Sequence, residues 1–201
     1  MPTSTFEIKS GGSIAGVNTR GQVSRSGSTP IGIDEVLTPA KVGSLTTRTD
    51  DNTGVATMVA GHGFITGNVV DVFWSGGMRY GMTATVATNA VTVDGGAGDA
   101  LPIATTALTV SKPLTLDSIT FVPEDLWMIA AATRGKCSIR FLATAAVVVN
   151  FTLGAEEAYC WAAGQGIVNP LISDPQADIT SVVISNGSAE SNRIRAGLLV
   201  A

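Results

Sequence analysis

The chain has 201 residues, of which 45% are hydrophobic, 14% charged and 5% aromatic, with a net charge of −4 and 23 glycines. So apolar a chain of such low net charge is not disordered throughout, and 12 Lys and Arg against 16 Asp and Glu argue against a nucleic-acid binder. No apolar run reaches the roughly 18 residues of a transmembrane helix.

The opening Met1-Pro2-Thr3-Ser4-Thr5 lacks the cationic and apolar regions of a signal peptide, so the expectation is a soluble protein made where it works. Soluble domains usually carry roughly 25% charged residues. A charge-poor chain with a mean hydropathy of +0.33 fits two explanations. Either a β-rich fold covers its outer faces with Thr and Ser, or much of its surface is buried against neighbouring subunits.

Residues 1–36 are rich in Ser, Gly and Thr, with scattered apolar residues at Phe6, Ile8, Ile14, Val17 and Val23. Such a stretch cannot bury enough apolar surface to fold alone. It also carries Lys9, Arg20 and Arg25 against Glu7 as the one acid before Asp34. We read it as an extended N-terminal arm ordered by lying along a partner, with Phe6, Ile8, Arg20 and Arg25 as the partner-binding residues. The plain alternative is a flexible tail.

Residues 37–111 show short strands with turn punctuation: 41–48, 55–60, 69–74, 78–86, 90–93 and 107–110. In the fourth, Met78, Tyr80, Met82, Ala84 and Val86 alternate onto one face. A glycine loop, Asp94 to Asp99, closes the fifth. A small antiparallel barrel is expected, because closure removes exposed strand edges. Lys112-Pro113 marks a boundary. Residues 112–201 carry further strands at 118–122, 137–142, 146–153, 158–161, 179–185 and 194–200, punctuated by Asn169-Pro170, Asp174-Pro175 and Asn186-Gly187. A β-sandwich is expected there. The Ala-rich stretch 125–133 suits a helix or a strand. Between Arg140 and Arg193 stands no basic residue, while Glu156, Glu157, Asp174, Asp178 and Glu190 lie inside, so an acidic face is expected. The fold class is all-β.

Catalytic chemistry finds little footing in these residues. Cys137 and Cys160 have no second Cys or His at zinc-ligand spacing and read as buried thiols, with pairing across neighbouring strands as the alternative. The single histidine, His62, lies between two glycines and reads as a turn residue. Asp94 and Asp99 could offer oxygens to a cation, but their spacing fits no calcium repeat, and a tight structural loop explains the glycines. Trp74, Tyr80, Trp127, Tyr159 and Trp161 sit in apolar runs and read as core rather than a sugar platform. Glu156 and Glu157, adjacent on a strand, would face opposite ways and not pair as acid and base. No catalytic residue, metal ligand or cofactor is assigned.

Two stretches resemble known modules. The segment from Gly61-His62-Gly63-Phe64 through Thr66-Gly67-Asn68 to Val72 resembles the small β-barrel modules of tailed-bacteriophage structural proteins often labelled FCCH-like, with Asn68 where that pattern often has Asp. Ala158-Tyr159-Cys160-Trp161, Asn169-Pro170-Leu171, 179–187 and Arg193-Ile194-Arg195 are similar to a C-terminal β-sandwich of phage virion proteins. The resemblance implies a non-enzymatic virion component assembled in the host cytoplasm. The leading expectation is a capsid decoration or cement protein whose partners are the major capsid protein or other virion subunits. Homo-oligomerisation, with a trimer at a lattice axis as one arrangement, would suit that role. The alternatives are a head–tail, tail-tip or fibre-adaptor protein and, from another class, a carbohydrate-binding module. Neither nucleic acid nor membrane is an expected partner.

Overall fold

The computed structural model describes the backbone of residues 4–14, 17–27, 29–116, 126–132, 136–143, 146–153, 158–162 and 179–200. It describes the side chains of 33, 35–116, 136–142, 150, 152 and 179–194. Among these residues every regular element is a strand, and the chain is all-β.

The centre is a closed antiparallel barrel of β4 (Lys41–Arg48), β5 (Gly54–Met58), β6 (Val69–Trp74), β7 (Gly77–Ala87), β8 (Ala90–Gly98) and β9 (Ala107–Ser111), in the order β4-β5-β8-β7-β6-β9. β9 closes the ring on β4, pairing Leu108 with Gly43, so no barrel strand is left with an open edge. Leu45, Ala56, Val70, Val72, Met82, Ala84, Val91, Val93 and Val110 fill the interior with no exposed surface. Burying each Val, Leu or Met contributes roughly 1.5–3 kcal/mol. The turn from β4 to β5 is set by Asp50, whose carboxylate accepts from the N–H groups of Asn52 and Thr53, both at 2.7 Å. Those bonds, the Asn52 N–H first, hold its carboxyl below the usual range.

Two four-stranded sheets complete the paired backbone beyond the barrel. One has β10 (Leu114–Leu116), β15 (Ser181–Asn186), β12 (Cys137–Ala143) and β13 (Ala146–Leu153), in that order. The other runs β14 (Ala158–Ala162), β11 (Leu126–Ala132), β16 (Asn192–Val200) and β3 (Thr29–Leu37). The Ala-rich stretch is therefore strand β11, paired on both sides, because sheet partners override the modest helix preference of alanine. β3 pairs along its whole length with β16, from Thr29 opposite Val200 to Leu37 opposite Asn192, so residues 29–36 form an edge strand of this sheet. β1 (Ser4–Ile14) and β2 (Val17–Gly27) form a separate two-stranded antiparallel ribbon.

Two expectations inside the barrel are corrected. The alternating face of β7 breaks at Gly81, where Tyr80 and Gly81 together oppose the single residue Asp71 on β6. Such a bulge swaps faces. Met82 and Ala84 stay in the core, whereas Met78 lies outside it under Asn150 and Thr152 of β13, and Tyr80 lies under Arg140 of β12. The glycine segment from Asp94, for its part, does not end the strand. It continues β8 to Gly98, opposite Arg79.

The predicted strand at 118–122 and the carboxylates of Glu156, Glu157, Asp174 and Asp178 lie outside the described residues. So do the side chains of Trp127, Tyr159, Cys160 and Trp161.

Candidate functional site

The four arm residues lie on the β1–β2 ribbon, whose register brings two of them together. Phe6 stands directly opposite Arg25, and Ile8 opposite Val23. Directly paired residues of an antiparallel pair share a face, and the faces alternate along each strand. Counting from Phe6–Arg25, one face holds Phe6, Ile8, Ile14, Val17 and Val23, which are all the large apolar residues of the ribbon, plus Arg25. The other face holds Thr5, Glu7, Lys9, Arg20, Gln22 and Asn18 among Ser and Gly, with no apolar residue. Arg20, opposite Gly11, is thus on the polar face. The apolar residues that look scattered along residues 4–27 form one amphipathic ribbon. At about 3.3 Å per residue each 11-residue strand extends about 36 Å. Among the described residues β1 and β2 pair only with each other.

A second feature, which sequence reasoning missed, joins the barrel to the β10–β15–β12–β13 sheet. Asp71 on β6 is completely buried. One carboxylate oxygen accepts from the Gly81 N–H at 2.9 Å, and the other accepts from Arg140 Nη1 at 2.6 Å and from the Ser185 hydroxyl. The Arg140 guanidinium also lies 4.8 Å from the centroid of the Tyr80 ring. Three donors and a buried counter-charge offset much of the desolvation cost of this carboxylate. The junction has further ties. Lys136 Nζ donates to the Trp74 carbonyl at 2.8 Å, Thr109 Oγ1 to the Gly187 carbonyl at 2.7 Å, and the Ala40 N–H to Ser188 O at 2.8 Å. Beside the ion pair opens a groove of about 570 Å³ lined by Val69, Tyr80, Lys112, Pro113, Leu142 and Val183, among others. One signal could have found the pair: Asp71 in Val-Val-Asp-Val-Phe and Arg140 in Ser-Ile-Arg-Phe-Leu are lone charges inside apolar strands. Lone charges there need partners.

The remaining candidates hold structural posts. The Phe64 N–H donates to His62 Nδ1 at 3.0 Å, so the proton sits on Nε2, which donates to the Thr88 carbonyl at 3.0 Å. With both nitrogens engaged and the residue buried, His62 pins the loop that enters β6. Arg79 donates to the carbonyls of Gly95, Gly96, Gly98 and Asp99, at 2.6, 2.8, 3.4 and 3.1 Å, so the glycine segment wraps a guanidinium. Gly96 has a φ of +68°, and a Cβ there would meet the Tyr80 carbonyl and lie 2.9 Å from Met82 Cγ. Asp94 accepts from Thr53 Oγ1 at 2.6 Å and Asp99 from the Met78 N–H at 3.0 Å, so one carboxylate ties β8 to the β4–β5 turn and the other ties the end of β8 to β7. Among the described residues no three His, Cys, Asp or Glu converge as a metal site would require.

Cys137 is a buried free thiol, and burial pushes its pKa up to about 12, which withholds the nucleophilic thiolate. Trp74 packs half-buried against the barrel core. No family model, curated protein or solved structure matches the chain.

Proposed function

We propose that the chain is a non-enzymatic structural subunit of a tailed-bacteriophage particle, acting as a capsid decoration or cement protein that bridges neighbouring subunits of the shell. The amphipathic ribbon carries this reading. An isolated two-stranded ribbon is marginal in water. A ribbon that gathers Phe6, Ile8, Ile14, Val17 and Val23 on one face gains its stability by covering that face with another surface. Phe6, Ile8 and Arg25 would make that contact, and Arg20 on the outer face would meet the rim.

The resemblance of 61–72 to virion barrel modules supports the same reading, since that segment enters the closed barrel through the buried His62 and Phe64. In this reading the two four-stranded sheets would be the layers of the expected β-sandwich, with β3 linking ribbon to sheet. In this scheme 29–36 join the sandwich, and the arm proper is 4–27. The body acts as a rigid block and the ribbon as its tether. A shell that binds many copies is stabilised by linkage to that binding. His62, Asp71 and Arg79, engaged as framework, are consistent with a mechanical role.

Mass-spectrometric copy counting on purified particles tests the proposal. A decoration protein is present in copies on the order of hundreds, whereas a head–tail or fibre adaptor is present in roughly a dozen or fewer. A chain missing from particles would overturn the virion reading altogether.

A further inference from the structure

We infer that the apolar face of the β1–β2 ribbon docks on the body of a second copy of this chain, tying copies into an arm-exchanged homo-oligomer. The inference rests on the reading of the ribbon as an assembly arm, and names what the arm holds.

Charge selects the partner. Lys9, Arg20 and Arg25 against Glu7 give the ribbon a net charge of +2, so the rest of the chain carries −6 of the total −4. A basic arm and an acidic body of the same chain attract one another between copies, whereas two ribbons packed face to face would bring like charge together, with Arg25 inside the contact. The body also carries apolar surface to receive such a face. Val42 and Val59, 46% and 61% exposed, are joined by a backbone hydrogen bond of 3.1 Å, and Ile65 and Ile103 are 66% and 74% exposed. Among the described residues β1 and β2 pair only with each other, and the outer edge of each strand would take an added strand once the face is seated.

The test follows the mass of the full-length protein by light scattering and sedimentation over a wide concentration range. The expected result is an assembly larger than one copy that weakens with salt. Ile8→Asp and Val23→Asp, on opposite strands but the same face, should each weaken it about tenfold or more. Gln22→Asp, on the polar face, makes the same change of charge without touching the apolar face and should weaken it far less. A labelled Ile8→Asp chain keeps its acidic body, so it should still enter assemblies of the unaltered protein.

Exclusion of that chain would mean ribbon-to-ribbon packing and overturn the inference. So would a single-copy mass at every concentration, or equal effects of the substitutions on both faces. Copy counting on particles is independent of these outcomes. A chain that is monomeric in solution yet abundant on shells would sink the homo-oligomer and leave the virion reading standing.

Discussion

The barrel and the ribbon solve one problem in opposite ways. Both are antiparallel β-structure. The barrel closes β9 on β4, pairs both edges of every strand and buries Leu45, Val72, Met82 and Val110 within itself. The ribbon strands, at 11 residues each, match the longest barrel strand, but among the described residues each has only one partner, and five large apolar residues stand on one face. A strand pair cannot enclose a core, whereas six strands in a ring can. The barrel therefore encloses its own apolar core, whereas the two strands of the ribbon enclose none between themselves.

The sharpest way to break this contrast is to disturb the body where it depends on a single charge. Asp71→Ala leaves Arg140 buried and uncompensated, and should lower stability by about 3–5 kcal/mol, read as a shift in the denaturant midpoint. Replacing both Asp71 and Arg140 with leucine should cost much less than the single change. Next, Leu45→Ala opens a cavity in the closed core and should cost about 2–5 kcal/mol by the same measurement. Gly96→Ala sets a Cβ against the Tyr80 carbonyl at a positive φ and should cost about 1–3 kcal/mol in thermal unfolding.

Among the described residues the buried Ser111 hydroxyl has no hydrogen-bond partner, so Ser111→Ala should be neutral or stabilising by up to about 1 kcal/mol. The smallest effect belongs to the ribbon. Ile8→Asp should move the unfolding of the barrel by less than about 0.5 kcal/mol at concentrations where the protein is a single copy. A large loss there would mean that the ribbon packs on its own body, and the contrast would fail.

Much of the barrel was legible in advance because its signals are local. Alternating apolar residues and glycine turns placed the strands at 41–48, 69–74 and 107–110 within a residue or two of where they lie, and the edge argument anticipated closure. What escaped were the places where one residue serves two faces at once. The bulge opposite Asp71 sends Met78 and Tyr80 out of the barrel, and no alternation count reveals a missing step in register. The glycines from 95 to 98 read as a loop because positive φ usually ends a strand, yet four carbonyls around Arg79 hold them in the sheet. Composition marks Phe6, Ile8, Arg20 and Arg25 as arm residues, but only the register puts Phe6, Ile8 and Arg25 on one face and Arg20 on the other.

The amino-acid sequence by itself determined the all-β class, the strand positions of the barrel and a basic, weakly apolar N-terminal stretch, since periodicity, turn residues and charge balance are properties of neighbours along the chain. Tertiary structure alone decided which residues face one another: Asp71 with Arg140 and Ser185, β3 against β16, and the apolar ribbon face. Those pairings join positions far apart in sequence, and their energies depend on distance and burial, which exist only once the chain has folded.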